Sequence, residues 1–183
     1  IMFLIIAQGI VGWFMVKSGL IMDVTVSHYR LSLHLSIAIL IISIIFWLIK
    51  NISSKKNKLF YFITKNNIPF QLLILILFLQ IIMGAFVSGL DAGRIYQTWP
   101  LMGPTFLPND LNIDNLNSML HFNNHSLVQF YHRILAYFIV LYVMLLSIYI
   151  YKNKILILYL PLKILLFFLF LQIFLGILTL ISG

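Results

Sequence analysis

The chain has 183 residues, 62% hydrophobic and 9% charged, with 12 Lys+Arg against 4 Asp+Glu and a formal net charge of +8; its mean hydropathy is +1.07. This composition excludes a soluble globular domain and marks an integral membrane protein. Its lysines cluster in short connections between apolar runs, so the positive charge reports topology and not a nucleic-acid partner. With no cysteine, disulfides, thiolate metal sites and cysteine-based catalysis are excluded within this chain, and histidine is the main ligand type left.

In chain order, five runs free of Asp, Glu, Lys and Arg predict helices that cross or nearly cross a bilayer: Ile1–Val16, Leu31–Ile49, Ile68–Leu90, Ile134–Tyr151 and Ile164–Gly183. The first is short, as a truncated span would be. The chain opens on IMFLIIAQGIVGWFMV, with no basic leader or small-residue cleavage site, and stops at LQIFLGILTLISG without a polar tail. A fragment of a longer polypeptide is therefore expected. ILILYLPL, Ile155–Leu162, is too short to span and contains Pro161, and reads as a turn or the lead-in to the last helix. Lys50, Lys55, Lys56, Lys58 and Lys65 in one connection, and Lys152, Lys154 and Lys163 in another, assign those sides to the cytoplasm or an organelle matrix. The connections Lys17–Arg30 and Asp91–Arg133 carry all the aspartates and lie outside. Rich in Gly, Pro and Asn, the longer one is expected to be irregular with room for a short surface helix. Its Trp99, Phe106 and Phe122 suit either a lid or plain interfacial anchoring.

An internal repeat stands out. AQGIVGWFMVKSGL, LQIIMGAFVSGL and LQIFLGILTLISG each place Gln four residues before Gly: Gln8 and Gly12, Gln80 and Gly84, Gln172 and Gly176. Four residues keep the two on one helix face, where they serve either close helix packing or contact with a buried ligand. The helix after the first copy carries His34, and the helix after the second carries His132, each about two turns below its outer mouth. Two related bundles are expected from this repetition.

A histidine inside a bilayer is costly and usually functional. A proton relay would want carboxylates on the path, but the chain has no Glu and the runs no Asp. An isolated metal ion would want three or four converging donors. Haem needs one or two axial imidazoles and a broad apolar slot, which Leu, Ile and Phe supply. Haem propionates favour cations near the interface. Arg30, one turn outward from His34 on the same face, suits that role; Arg133, beside His132 and about 100° around the helix, suits it less well, a contact with the outer loop being the alternative. Equivalent positions argue that His34 and His132 serve separate haems. His28, His121 and His125 are expected to be solvated.

The segments GWFMVKSGL, VSHYRLSLHL, GAFVSGLDAGRIYQTWPLMG, QFYHRILAY and LQIFLGILTL, in that order across nearly the whole chain, resemble the haem A synthase family in its proteobacterial and mitochondrial form. The resemblance implies an all-α, eight-helix membrane protein of two pseudo-symmetric four-helix bundles, with this chain covering helices three to seven. Residues 1–50 would end the first bundle with two transmembrane helices, 51–67 would be a basic inner linker, and 68–183 would be most of the second, with three transmembrane helices and a long outer loop over 91–126. The family binds the substrate haem o in one bundle and haem b in the other, each through two histidines. His34 corresponds to a haem o ligand and His132 to a haem b ligand. The implied reaction oxidises a haem methyl to a formyl, giving haem a for cytochrome oxidase, with an unidentified electron acceptor and haem O synthase or oxidase assembly factors as partners, in a bacterial cytoplasmic or mitochondrial inner membrane. The family's catalytic carboxylate falls before Ile1, so this chain alone is expected to be inactive. Asn123 and Tyr131 stand where the family pattern has acidic residues. A cytochrome b-like di-haem electron carrier is the alternative.

Overall fold

The structure, a computed structural model, describes residues 1–19, 26–53, 67–110 and 118–183. Among the described residues there are five α-helices: α1 (Met2–Gly19), α2 (His28–Ser53), α3 (Ile68–Gly89), α4 (His125–Lys152) and α5 (Tyr159–Ser182). Single 3-10 turns lie at Ala92–Arg94, Ser118–Leu120 and Leu156–Leu158, and the described residues form no strand beyond an isolated bridge between Met102 and Thr105. His28–Ile52, Ile68–Gly89, His125–Lys152 and Leu156–Ser182 are long and apolar enough to cross a membrane, while the apolar stretch of α1, Met2–Lys17, is shorter. The chain is an all-α, multi-pass membrane protein.

Two helices begin earlier than the uncharged runs suggest. α2 passes through Arg30 and α4 through Arg133, because a helix start is decided by where its first N–H groups find acceptors. The Asn124 side chain accepts from the Leu127 N–H at 3.1 Å and caps α4, and the Ser27 carbonyl accepts from Arg30 and Leu31. Pro69 stands in the first turn of α3, and Pro161 in that of α5, where a missing N–H breaks no helical bond. Ile155–Leu162 is accordingly a 3-10 turn running into α5, the lead-in expected of it.

Each helix packs on the next in chain order. The best-buried apolar contact joins α3, α4 and the start of α5. Ile139, Val143, Leu146 and Ile150 form a stripe on α4 against Leu73 and Ile76 of α3 and Leu162 of α5. That spacing follows the helical period, and with lipid as solvent its attraction is close packing rather than water release. The Tyr142 hydroxyl adds a bond to the Pro69 carbonyl at 2.8 Å. Elsewhere the helices present large apolar side chains outward, among them Ile74, Leu141, Phe170 and Leu178, as a lipid-facing surface should. The lysines at 55, 56, 58 and 65, and the aspartates at 23 and 114, lie outside the described residues.

Candidate functional site

The two intramembrane histidines have the same kind of seat. Gln8 on α1 brings its Nε2 to 3.2 Å from Nε2 of His34 on α2. Gln80 on α3 brings its Nε2 to 3.2 Å from Nδ1 and 3.3 Å from Nε2 of His132 on α4, and donates to the His132 carbonyl at 3.2 Å. One turn further along each glutamine-bearing helix the glycine leaves the room the ring occupies. A Cβ on Gly12 would lie 2.9 Å from Cε1 of His34, and one on Gly84 would lie 3.3 Å from Cε1 of His132. The repeat is therefore resolved for two of its copies. Glycine admits an imidazole instead of a neighbouring backbone, and glutamine touches that imidazole. The third copy differs, since Gln172 and Gly176 are exposed and nothing lies within 4 Å of a Cβ on Gly176.

Both rings are half-buried. His34 Nδ1, Gln8 Oε1 and Gln80 Oε1 are buried without a hydrogen-bond partner, and such groups are rare unless something outside the protein chain completes them. Among the described residues no group of three or more His, Cys or acidic side chains is placed to hold a metal ion. A single imidazole per helix pair would suit holding a haem iron better than it suits an all-protein metal cage.

Arg30 lies over the Phe14 ring of α1, 4.4 Å from its centroid, one turn outward from His34. Arg133 is buried and turned into the outer loop. Its Nη1 donates to the carbonyls of Thr98 at 2.8 Å and Leu101 at 3.3 Å, and its Nη2 to that of Tyr96 at 2.6 Å. Gln129, one turn earlier on the same face of α4, donates to the carbonyls of Gly93 at 3.3 Å and Tyr96 at 3.0 Å. Together they hold residues 93–101 across the outer end of α4. Spacing from Arg133 was the available signal for Gln129, which sequence reasoning passed over. It also passed over Asp110, whose carboxylate accepts from the hydroxyls of Tyr96 at 2.9 Å and Ser126 at 2.6 Å.

The described parts of the loop are irregular, as expected, but closely tied down. Asp91 turns the chain with φ 51°, and Ala92 and Met102 are fully enclosed. Phe106 stacks on Tyr137 and meets Phe130 edge-on, while Phe122 lies between Phe86 and Tyr131. Trp99 remains half exposed. Tyr131 donates to the Met119 carbonyl at 2.9 Å. Burial raises the Tyr96 hydroxyl above its ordinary pKa, helped by Asp110. For Asp110 burial pulls upward, but the bonds from Ser126 and Tyr96 outweigh it and hold the carboxyl below its ordinary value.

His121 and His125 are exposed, as expected. His28 is not: it is 7% accessible, wedged between α2 and α3 with its ring edge-on to Phe86 at 5.2 Å. Its backbone is the reason, for the absent side chain of Gly89 lets α3 come so close that a Cβ there would stand 2.7 Å from His28 Cα.

The whole chain, residues 1–183, matches the family model described as cytochrome oxidase assembly protein. It is 46% identical to Heme A synthase of Pelagibacter ubique over 100% of this chain and 53% of that protein. It is 37% identical to Heme A synthase of Rickettsia felis, covering 95% of this chain and 52% of the relative, and 37% identical to that of Rickettsia canadensis, covering 97% and 53%. The chain thus spans about half the length of these curated relatives. No solved structure matches it. A family model matched from end to end, over a fold that seats two histidines alike, places this chain in the haem A synthase family of cytochrome oxidase assembly proteins.

Proposed function

We propose that this chain is the central part of a membrane oxidoreductase that oxidises a methyl group of haem o to a formyl group, giving haem a for cytochrome oxidase. Residues 1–50 complete a first four-helix bundle that holds the substrate, 51–67 form the basic inner linker, and 68–183 make most of a second bundle that holds haem b. The observation that carries this reading is the repeated seat, a lone half-buried imidazole against a Gln–Gly pair in each unit.

His34 would hold the iron of haem o and so keep the substrate in the first bundle. His132 binds haem b, which when bound supplies one-electron redox capacity or supports the fold. Arg30, one turn outward from His34, neutralises a haem o propionate. Arg133 serves the haem b site at its rim, where its charge lies, and through the loop it holds. That loop, clamped by Arg133, Gln129 and Asp110, screens the outer mouth from bulk water, which raises the strength of every charged contact beneath it. Electrons leave to an acceptor beyond this chain, with haem O synthase or oxidase assembly factors as partners. The protein sits in the bacterial cytoplasmic membrane or, in a eukaryote, in the mitochondrial inner membrane.

Haem extraction from cells expressing the complete gene tests the activity. Haem a accumulates if the proposal holds. Two equivalent seats also suit a di-haem electron carrier, which would leave haem o and haem b as the only pigments. Replacing His132 with Ala in the complete protein is expected to remove the b-type spectrum, and retention of that spectrum would end its assignment as ligand.

A further inference from the structure

We propose that the outer loop between α3 and α4 is a lipid contact: residues 95–106 lie beside the outer end of α4, with Ile95, Trp99, Leu101 and Phe106 immersed in the headgroup and upper acyl region of the outer leaflet.

Depth is the first argument. α4 has 28 residues, of which about 20 suffice to cross a ~30 Å hydrocarbon core. Counted outward from Lys152 at its inner end, that length reaches Arg133 and sets this residue at the outer boundary of the core. The loop is bonded at that level. Arg133 holds the carbonyls of Tyr96, Thr98 and Leu101. Tyr137, one turn further in, donates to the Pro100 carbonyl at 3.4 Å and stacks on Phe106 with ring centroids 6.4 Å apart. A tyrosine on a helix leans back toward the N-terminus, so these contacts fall at the same boundary. The chain climbs away again at Asp110, whose carboxylate accepts from Ser126 in the first turn of α4.

Irregular backbone survives at membrane depth only where the protein satisfies its polar groups. Here the polar atoms turn inward. Besides the carbonyls already named, Thr98 Oγ1 donates to the Leu101 carbonyl and accepts from the Gly103 N–H, both at 2.8 Å. The Met102 N–H donates to the Thr105 carbonyl at 2.8 Å, and Pro100 and Pro104 have no N–H to satisfy. Residues 95–109 contain no Asp, Glu, Lys or Arg, so no charge of their own is desolvated. Ile95, Trp99, Leu101 and Phe106 meanwhile remain between 41% and 49% exposed. Such a patch marks a protein or a membrane contact. Continuity with the lipid-facing side of α4 decides for lipid: Phe106 stacks on Tyr137, and exposed Leu141 stands one turn further along the same helix face. A tryptophan at headgroup level is the usual companion of such a surface. Phe122 takes no part, being turned in between Phe86 and Tyr131.

The test uses the complete protein, freed of any other cysteine, in vesicles of phosphatidylethanolamine and phosphatidylglycerol. A nitroxide on Leu101→Cys is read by electron paramagnetic resonance for collision with oxygen, which concentrates in lipid, and with a neutral nickel chelate, which stays in water. Leu141→Cys, exposed on α4, is the lipid reference, and Asn123→Cys, exposed just before α4, is the water reference. The oxygen-to-nickel ratio at Leu101→Cys is expected to rise above that at Asn123→Cys and approach that at Leu141→Cys. A ratio equal to that at Asn123→Cys would make the loop a lid in water. Low collision rates with both probes would mean that protein covers the patch, from elsewhere in the chain, a second copy or another partner. Either result overturns the proposal. Should Leu101→Cys fail to assemble, Trp99→Cys decides in its place by the same outcomes.

Discussion

A methyl group at Gly89 would meet Cα and Cβ of His28 at 2.7 Å, atoms that belong to a backbone unable to swing aside. Gly89→Ala is therefore expected to push α3 off α2 and to destabilise the protein by about 1–3 kcal/mol, as overpacking does. Gly12→Ala meets only the edge of the His34 ring, at 2.9 Å. It should leave thermal unfolding in detergent nearly unchanged while displacing that ring and reducing haem binding. Gly176→Ala meets open space within this chain, and its unfolding should move by no more than about 0.5 kcal/mol. Unfolding curves and haem content of the three variants, measured side by side, check this ranking; equal effects would contradict it. Gln, Gly and His could be picked from the sequence by their recurrence and their oddity in lipid. Which of them touch could not, because the contacts run between helices 26 and 52 residues apart.

At the scale of elements, the junction of the outer loop with α4 is where charge and capping combine. Arg133 bridges three loop carbonyls, a geometry that a planar fork reaches and a single ammonium does not. Arg133→Lys should therefore release residues 93–101 almost as fully as Arg133→Ala, seen as faster amide exchange or proteolysis there with the helices still protected. Loss of the Asn124 cap through Asn124→Ala should cost about 1 kcal/mol. The clasp around Asp110 is acid-sensitive. Its carboxyl sits below the ordinary value of 3.8, so the folded state prefers the ionised form more than the unfolded chain does. That contribution is complete above about pH 3.8 and is lost as pH falls through the lower folded value. Loop protection factors, which remove the intrinsic pH dependence of amide exchange, should fall on acidification below that point in the native protein and stay level in Asp110→Asn. The sequence carried the loop's irregularity and its aromatic residues, while Arg133 was read between propionate and loop. The loop contact is now visible, since the carbonyls concerned lie 32 to 37 residues upstream.

For the whole molecule, alternation of α1 to α5 with lysines at one end and the Asp-bearing loop at the other sets a topology that is open to direct measurement. The natural chain has no cysteine, so single cysteines report without background. Leu107→Cys, on the exposed loop, should react with a membrane-impermeant maleimide from the outer side of intact cells. Asn153→Cys, in the exposed turn after α4, should react only after the membrane is opened. The reverse pattern would invert the orientation drawn from the lysines.

Composition, the length of apolar runs and a repeated Gln-x-x-x-Gly were enough to determine the membrane class, the helices and the special standing of His34 and His132. These are properties of a residue and its near neighbours along the chain, and helical periodicity writes them locally. Three matters waited for the tertiary structure: that the glutamines and glycines of α1 and α3 face the imidazoles of α2 and α4, that Arg133 is spent on loop carbonyls, and that His28 is buried against Gly89. Each is a meeting of segments distant in sequence, settled by how closely two helices approach and how each is rotated about its axis, and no spacing within a single segment encodes either quantity.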